Sequence, residues 1–278
     1  MSHWLCRTCV NDTRNPTVEL LDGRCQVCRA YQSHPFYGKL RIPSLREFQG
    51  QRAMIGMSGG KDSTAAAIEA KTWGMELTAF TFDSGYYPQH IMSAASFWAQ
   101  KLGIPHEVID IRPHIRPSLR QCFRLTADLF DRPLDRDEAT RLYVLNRQCY
   151  SVKDETEMPF LRGCQLCRKM VIPAYYAEAV KRGVRYVILG MNEWTHIAGP
   201  DNASGMRWLR PHSDKPSVCI VHLPFLLNWR LQDTMERIQS VGWTPPRNEE
   251  LVETNGNSFC LARATQKPFM GALGFHPD

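Results

Sequence analysis

Ala53-Met54-Ile55-Gly56-Met57-Ser58-Gly59-Gly60-Lys61-Asp62-Ser63 is the stretch whose reading decides the fold. The segment Gln51–Met57 ends in the apolar run Ala53–Met57, which is short enough for a buried strand and stops at a glycine pair. Beyond the glycines, Ser63-Thr64-Ala65-Ala66-Ala67-Ile68-Glu69-Ala70 has the composition of a helix. Strand, tight turn and helix in direct succession bring the backbone N–H groups of Ser58-Gly59-Gly60 and the positive end of the helix dipole to one place. That arrangement suits a polyphosphate, with Lys61 supplying a mobile positive charge and Asp62 and Ser63 completing the loop.

Working outward, Leu77–Phe82 reads as a second strand, Ile91–Leu102 as a helix and His106–Ile111 as a third strand. The alternation predicts an α/β protein with a Rossmann-like parallel sheet covered by helices. From Arg112 to Pro159 the pattern loosens: helical patches over Leu119–Phe130 and Glu138–Tyr150, with Pro113, Pro117 and Pro133 among them, read as an insertion or lid. Regularity returns with a helix through Tyr175–Lys181, closed by Gly183, and a strand Tyr186–Leu189 that stops at Gly190. Val218-Cys219-Ile220-Val221 reads as a further buried strand, and Phe225–Val241 as one long amphipathic helix ended by Gly242, Pro245 and Pro246. Asp83, with Gly85 just beyond it, and Gly190 fall at the carboxyl edge of the sheet, where open α/β folds bind ligands. They are expected to face a nucleotide accompanied by Mg²⁺, although Asp83 also reads as a strand-ending turn residue and Asn192 or Glu193 as plain loop.

The cysteines carry a second message. Cys6-x2-Cys9 and Cys25-x2-Cys28, separated by fifteen residues, form two knuckles able to place four thiolates around one Zn²⁺. Such a ribbon stabilises about forty residues that are too few for a core of their own. The expected organisation is therefore a zinc ribbon over residues 1–40 and a nucleotide-binding domain over 48–278 with a helical insertion around 112–160. Cys164-Gln165-Leu166-Cys167 is a separate pair, with Arg162, Arg168 and Lys169 nearby to favour thiolates. Cys260 is the candidate third thiolate, with Cys219 as its competitor. Three thiolates on a four-iron cluster leave one iron without a protein ligand, and openness is what chemistry needs. A redox-active pair, a persulfide-carrying cysteine and buried structural thiols are the alternatives. Cys122 and Cys149, on helical patches, read as structural.

Composition sets the outer bounds. Lys and Arg number 34 against 28 Asp and Glu, a net charge of +6 that permits a polyanionic partner without demanding one. No apolar stretch approaches the roughly 18 residues of a membrane span, and the chain enters its first cysteines without a signal-like segment, so a soluble cytoplasmic protein is expected. In that setting ten cysteines point to metal or redox chemistry rather than to disulfides.

Ser58-Gly59-Gly60-Lys61-Asp62-Ser63 resembles, position by position, the SGGxDS signature of the N-type ATP pyrophosphatase, or PP-loop, superfamily; the spacing of a Walker A loop is absent. The resemblance implies that the loop grips the β- and γ-phosphates while a substrate oxygen attacks the α-phosphate, releasing pyrophosphate and leaving an adenylate. The phosphate loop together with Cys164, Cys167 and Cys260 resembles the cluster-dependent thiolation enzymes of that superfamily, one branch of which also carries an N-terminal zinc ribbon. This implies an ATP-dependent sulfurtransferase. Lys61, Asp62 and the three cysteines are its catalytic set, a [4Fe-4S] cluster its cofactor, a nucleobase (free or in RNA) its acceptor, and a desulfurase or sulfide its sulfur donor; a homodimer is left open. The segments Cys6-Arg7-Thr8-Cys9-Val10-Asn11-Asp12-Thr13 and Gly23-Arg24-Cys25-Gln26-Val27-Cys28 also resemble the opening of PP-loop N-acetyl sugar amidotransferases, which implies ammonia from a partner glutaminase instead. A non-catalytic RNA-binding module, with Trp4, Tyr31 and Phe36 as stacking residues, is a third reading that the intact phosphate loop disfavours.

Overall fold

The computed structural model describes residues 5–8, 13, 18–26, 28–29, 45–85, 89–117, 119–120, 133–148, 163–191, 205–209, 214–227, 229, 231–244 and 271–274. The chain divides into two compact units, one of residues 1–37, 113–170 and 259–278, the other of 38–112 and 171–258. In the first, a minimal hairpin pairs β1 (Leu20–Leu21) antiparallel with β2 (Arg24–Cys25) across a turn in which both Asp22 and Gly23 have positive φ, the twist that a two-residue hairpin requires. The same unit holds the helix Arg136–Gln148, whose Ala139, Leu142 and Tyr143 form a small core with Leu134 and Leu273. This helix meets the expected patch Glu138–Tyr150; residues 121–130 of the other patch lie outside the described residues.

The second unit contains the sheet. Its strands are β3 (Arg52–Gly56), β4 (Glu76–Asp83), β5 (His106–Asp110), β6 (Tyr186–Leu189), β7 (Met206–Leu209) and β8 (Val218–His222), in the spatial order β5-β4-β3-β6-β8-β7. All pairs are parallel except β7 with β8. The expectation of a Rossmann-like α/β sheet holds, with an antiparallel edge strand added.

Strand periodicity distributes the side chains between two faces. Ala53, Ile55, Ala79, Tyr186, Ile188, Cys219 and Val221 join one core with Ala65, Ala66, Ala67 and Ala70 of the helix Lys61–Thr72, Ala95 and Ala99 of the helix Gln89–Lys101, and Ile238 of the helix Leu231–Gln239. The alanine face lets the helix after the glycine pair lie close against the sheet. On β4, Phe80 and Phe82 alternate with Ala79 and meet Tyr175 of the helix Gly163–Lys181, with ring centroids 5.8 and 5.0 Å away.

Two helix boundaries differ from the sequence expectation. The helix predicted through Tyr175–Lys181 begins at Gly163 and contains Pro173, which interrupts but does not end it. The long helix predicted over Phe225–Val241 is two pieces, Leu223–Leu226 and Leu231–Gln239. Between them Trp229 turns inward: its N–H donates to Pro224 O at 2.8 Å, and its buried ring lies 4.0 Å from the Arg237 guanidinium. Burying an indole outweighs the continuity of one amphipathic face. No helix among the described residues is long and apolar enough to cross a membrane.

Candidate functional site

The loop Met57–Ser63 leaves the carboxyl end of β3, where the sheet reverses its order: β4 and β5 lie to one side, β6 and β8 to the other. A crevice opens at such a switch point because neighbouring connections depart in opposite directions. Before the loop turns it is tied to β4, since Met57 N–H donates to Phe80 O at 2.8 Å and Met57 O accepts the Thr81 hydroxyl at 2.6 Å. Thr81 Oγ1 also lies 2.9 Å from His106 Nε2. With its one proton on Met57 O, the hydroxyl accepts from the ring, which fixes the Nε2–H tautomer. Burial lowers the His106 pKa, and the Glu107 carboxylate partly opposes that shift.

Ser63 closes the loop on itself. Its hydroxyl donates to Gly60 O at 3.1 Å, accepts the Ser58 N–H at 3.2 Å and lies 3.1 Å from the Ser58 hydroxyl. Gly59 has φ +73, and a Cβ there would fall 2.7 Å from the Ala94 carbonyl carbon, so both conformation and space demand glycine. Gly60 caps the helix in an extended conformation with no side-chain cap, leaving the first-turn amides free of a competing oxygen. Lys61 Nζ rests 2.6 Å from Asp62 Oδ2, both half-buried. The connection after β6 approaches the same point: a Cβ on Gly190 would lie 2.5 Å from Ser63 N and 2.6 Å from Asp62 C. Ser58 through Ser63 and Gly190 are thus brought together.

Asp83 stands one strand away, in register with Asp110. Its Oδ1 accepts the Gly85 N–H at 2.8 Å, a turn that lies at the carboxyl edge of the sheet. Asp110 binds Arg112 through both oxygens at 2.8 Å, and this pairing, aided by the charge of Asp83, raises the Arg112 pKa. Sequence reasoning missed Arg112, the Thr81–His106 pair, and Trp243, whose indole N–H donates to Gly59 O at 3.1 Å across 184 positions of chain. No local pattern could have paired those two residues.

The sulfur atoms of Cys6, Cys25 and Cys28 all lie within 4.8 Å of one another, close enough to hold one metal ion. Backbone amides point at them: Cys25 N–H at 3.3 Å and Thr8 N–H at 3.5 Å from Cys6 Sγ, and Cys28 N–H at 3.5 Å from Cys25 Sγ. Donors aimed at sulfur favour the thiolate that a metal needs. Cys9 and Cys260 lie outside the described residues, as do Cys122, Cys149, Asn192, Glu193, Trp4, Tyr31 and Phe36. Cys164 and Cys167 are the second and fifth residues of the helix Gly163–Lys181, and so lie within a helix rather than ahead of one. Cys219 is fully buried in β8 and its thiol is pushed up to about 12 by burial, the opposite of what a metal-binding thiolate requires.

Residues 52–152 match the family described as queuosine biosynthesis protein QueC, over a segment that contains the whole phosphate loop. Two curated 7-cyano-7-deazaguanine synthases of Leptospira interrogans, from different serovars, are 33% identical over 72 residues, which is 26% of this chain and 30% of theirs. The match therefore spans less than a third of the length of those relatives. Among solved structures, NMN synthetase from Francisella tularensis aligns with 79% of this chain and 72% of its own at 18% identity and a TM-score of 0.41. A predicted subunit of tRNA methyltransferase from Methanocaldococcus jannaschii aligns with 55% of this chain and 60% of its own at 16% identity and a TM-score of 0.31. The PP-loop resemblance read from Ser58–Ser63 is borne out by the family match, which covers that motif.

Proposed function

We propose that this protein is an adenylating enzyme that binds ATP in the crevice at the carboxyl ends of β3 and β6. The observation that carries the reading is the loop itself: Gly59 and Gly190 leave no room for side chains around a helix start that no side chain caps. An oxyanion held there meets backbone amides and the helix dipole, and Lys61 would exchange Asp62 for phosphate oxygens. Mg²⁺ would arrive with the polyphosphate. In the first step a carbonyl oxygen of the second substrate bonds to the α-phosphorus, and the bond to the bridging oxygen breaks, with its electron pair leaving on pyrophosphate. In the second step a nucleophile bonds to the activated carbon and AMP departs with the oxygen.

A nucleobase-like heterocycle is the acceptor we favour, because the matched relatives are named for a deazaguanine product. Two nucleophiles suit the activated carbon. Sulfide is supported by Cys164 and Cys167, three positions apart near the start of the helix Gly163–Lys181 with Arg162, Arg168 and Lys169 beside them in the sequence; with Cys260 they would hold a [4Fe-4S] cluster fed by a desulfurase or by sulfide. Ammonia is supported by the cyano group in the relatives' name and by the N-terminal knuckles' resemblance to N-acetyl sugar amidotransferases. Under that second reading the acceptor is an N-acetyl sugar and a glutaminase supplies the ammonia. Zn²⁺ is the metal we assign to Cys6, Cys9, Cys25 and Cys28 in both.

The test is AMP formation by anaerobically purified protein, with its iron, sulfide and zinc quantified, offered nucleobase or N-acetyl sugar acceptors with sulfide or with ammonia. Iron together with sulfide-dependent turnover supports thiolation, whereas zinc without iron and ammonia-dependent turnover supports the amidotransferase. Lys61→Ala should lower AMP formation by about 100-fold or more with metal content unchanged. Undiminished AMP formation by that variant would overturn the assignment of the loop.

A further inference from the structure

Gly59 is gripped from a direction that the phosphate loop does not itself supply. The helix Leu231–Gln239 ends with Val241 N–H and Trp243 N–H both donating to Ile238 O, at 3.3 and 3.1 Å, and Gly242 N–H donating to Gln239 O at 3.0 Å. Gly242 has φ +62, the left-handed turn that reverses the chain after a helix and sends Trp243 back toward the sheet. The helix is anchored by buried Ile238 and by Arg237, which pairs with Glu69 of the loop helix at 2.7 Å. The Trp243 ring then lies 6.4 Å from that of buried Trp98, and its N–H reaches Gly59 O at 3.1 Å.

The described peptide bonds are all trans, so the Gly59 carbonyl and the Gly60 N–H point in opposite directions within one plane. Holding the oxygen on Trp243 turns the Gly60 N–H the other way, where it donates a long hydrogen bond to Ser58 Oγ at 3.4 Å that a phosphate oxygen would replace. That N–H adjoins the uncapped amides of Lys61 and Asp62. On its other flank Gly59 abuts Ala94, so the peptide cannot retreat from the indole. A glycine pair left alone would sample several orientations, most of which scatter these amides.

We infer that Trp243 is a positioning residue for the phosphate loop, setting the Gly59–Gly60 peptide so that the Gly60 amide joins the helix-terminal amides on the polyphosphate. The inference rests on the adenylation reading above. Trp243 does not touch the nucleotide; it acts through the peptide it holds.

Trp243→Phe keeps a ring against Trp98 and removes only the N–H. Calorimetric titration with Mg·ATP should show binding weakened by roughly three- to tenfold, the worth of one neutral hydrogen bond. Inorganic pyrophosphate should weaken in parallel and adenosine should not, because the lost contact orders the phosphate end. Trp98→Phe, which disturbs the packing but leaves the N–H, serves as the structural control and should retain wild-type ATP affinity. The indole N–H resonance absent from Trp243→Phe should also shift in the wild type on adding pyrophosphate. Equal ATP affinity in Trp243→Phe and wild type, or equal weakening in Trp98→Phe, overturns the positioning role while leaving ATP binding in place. Failure of the wild type to bind Mg·ATP overturns both this inference and the adenylation reading.

Discussion

The phosphate loop and the N-terminal cysteine knuckle each gather donor groups around a point, but they are held in opposite ways. The loop is fixed by its surroundings: β4 binds its start, Ser63 clamps its ends, and Gly190 and Trp243 press on it from elsewhere in the fold. The knuckle has two-residue strands and only Cys6 and Cys25 buried among its described residues. A sheet can build an anion site before the anion arrives, whereas a segment too small for a core must draw its order from the ion it binds. The loop is therefore expected to survive loss of its ligand, and the knuckle is not.

The largest effect is expected where the loop is packed most tightly. Gly190→Val would drive its Cβ to within 2.5 Å of Ser63 N, a backbone atom that cannot swing aside. We expect a loss of about 3 kcal/mol in urea unfolding and no stabilisation by Mg·ATP. If ATP raises the stability of this variant as much as that of the wild type, the connection after β6 does not shape the site.

Chelation, or Cys25→Ser, sharpens the other half of the contrast. Amide exchange over residues 18–29 should lose its protection outright, while β3 and β4 keep theirs and Mg·ATP still stabilises the sheet. Retained protection in fully metal-free protein would show that the knuckle orders itself without an ion.

Much of this contrast was legible in the sequence. The phosphate loop could be read because its parts are contiguous: an apolar strand, two glycines and an alanine-rich helix lie within Arg52–Thr72. The central strands announced themselves as apolar runs stopped by polar or glycine residues. Strand β7 did not, because it has only four residues and Arg207 breaks its apolar run. The break after Leu226 was hidden for a related reason, since helical periodicity continues through it and only the buried pocket for Trp229 shows that the chain turns. The support of the loop was least legible. Gly190 could be placed at the carboxyl edge of the sheet but not against Ser63, and Trp243, which acts on the loop from far along the chain, looks alone like a residue that merely follows a helix end.

The smallest expected effect tests how the loop is tied to β4. His106 donates Nε2–H to Thr81, whose hydroxyl holds Met57 O, and burial keeps the ring's pKa below its ordinary 6.5. A histidine that binds its proton less tightly in the folded state than in the unfolded one contributes stability present above pH 6.5 and lost as pH falls through the folded-state value. His106→Gln supplies an amide donor that does not titrate, so its stability relative to wild type should rise as pH is lowered from about 8 to about 5. ATP affinity should stay the same over that range apart from the nucleotide's own titration, because protonation at Nδ1 leaves the Nε2–H bond to Thr81 intact. Parallel stability curves would show that burial of the ring carries no proton linkage. A fall in ATP affinity confined to the wild type would show that protonation reaches the loop itself, and that its anchoring to β4 is softer than the three hydrogen bonds suggest.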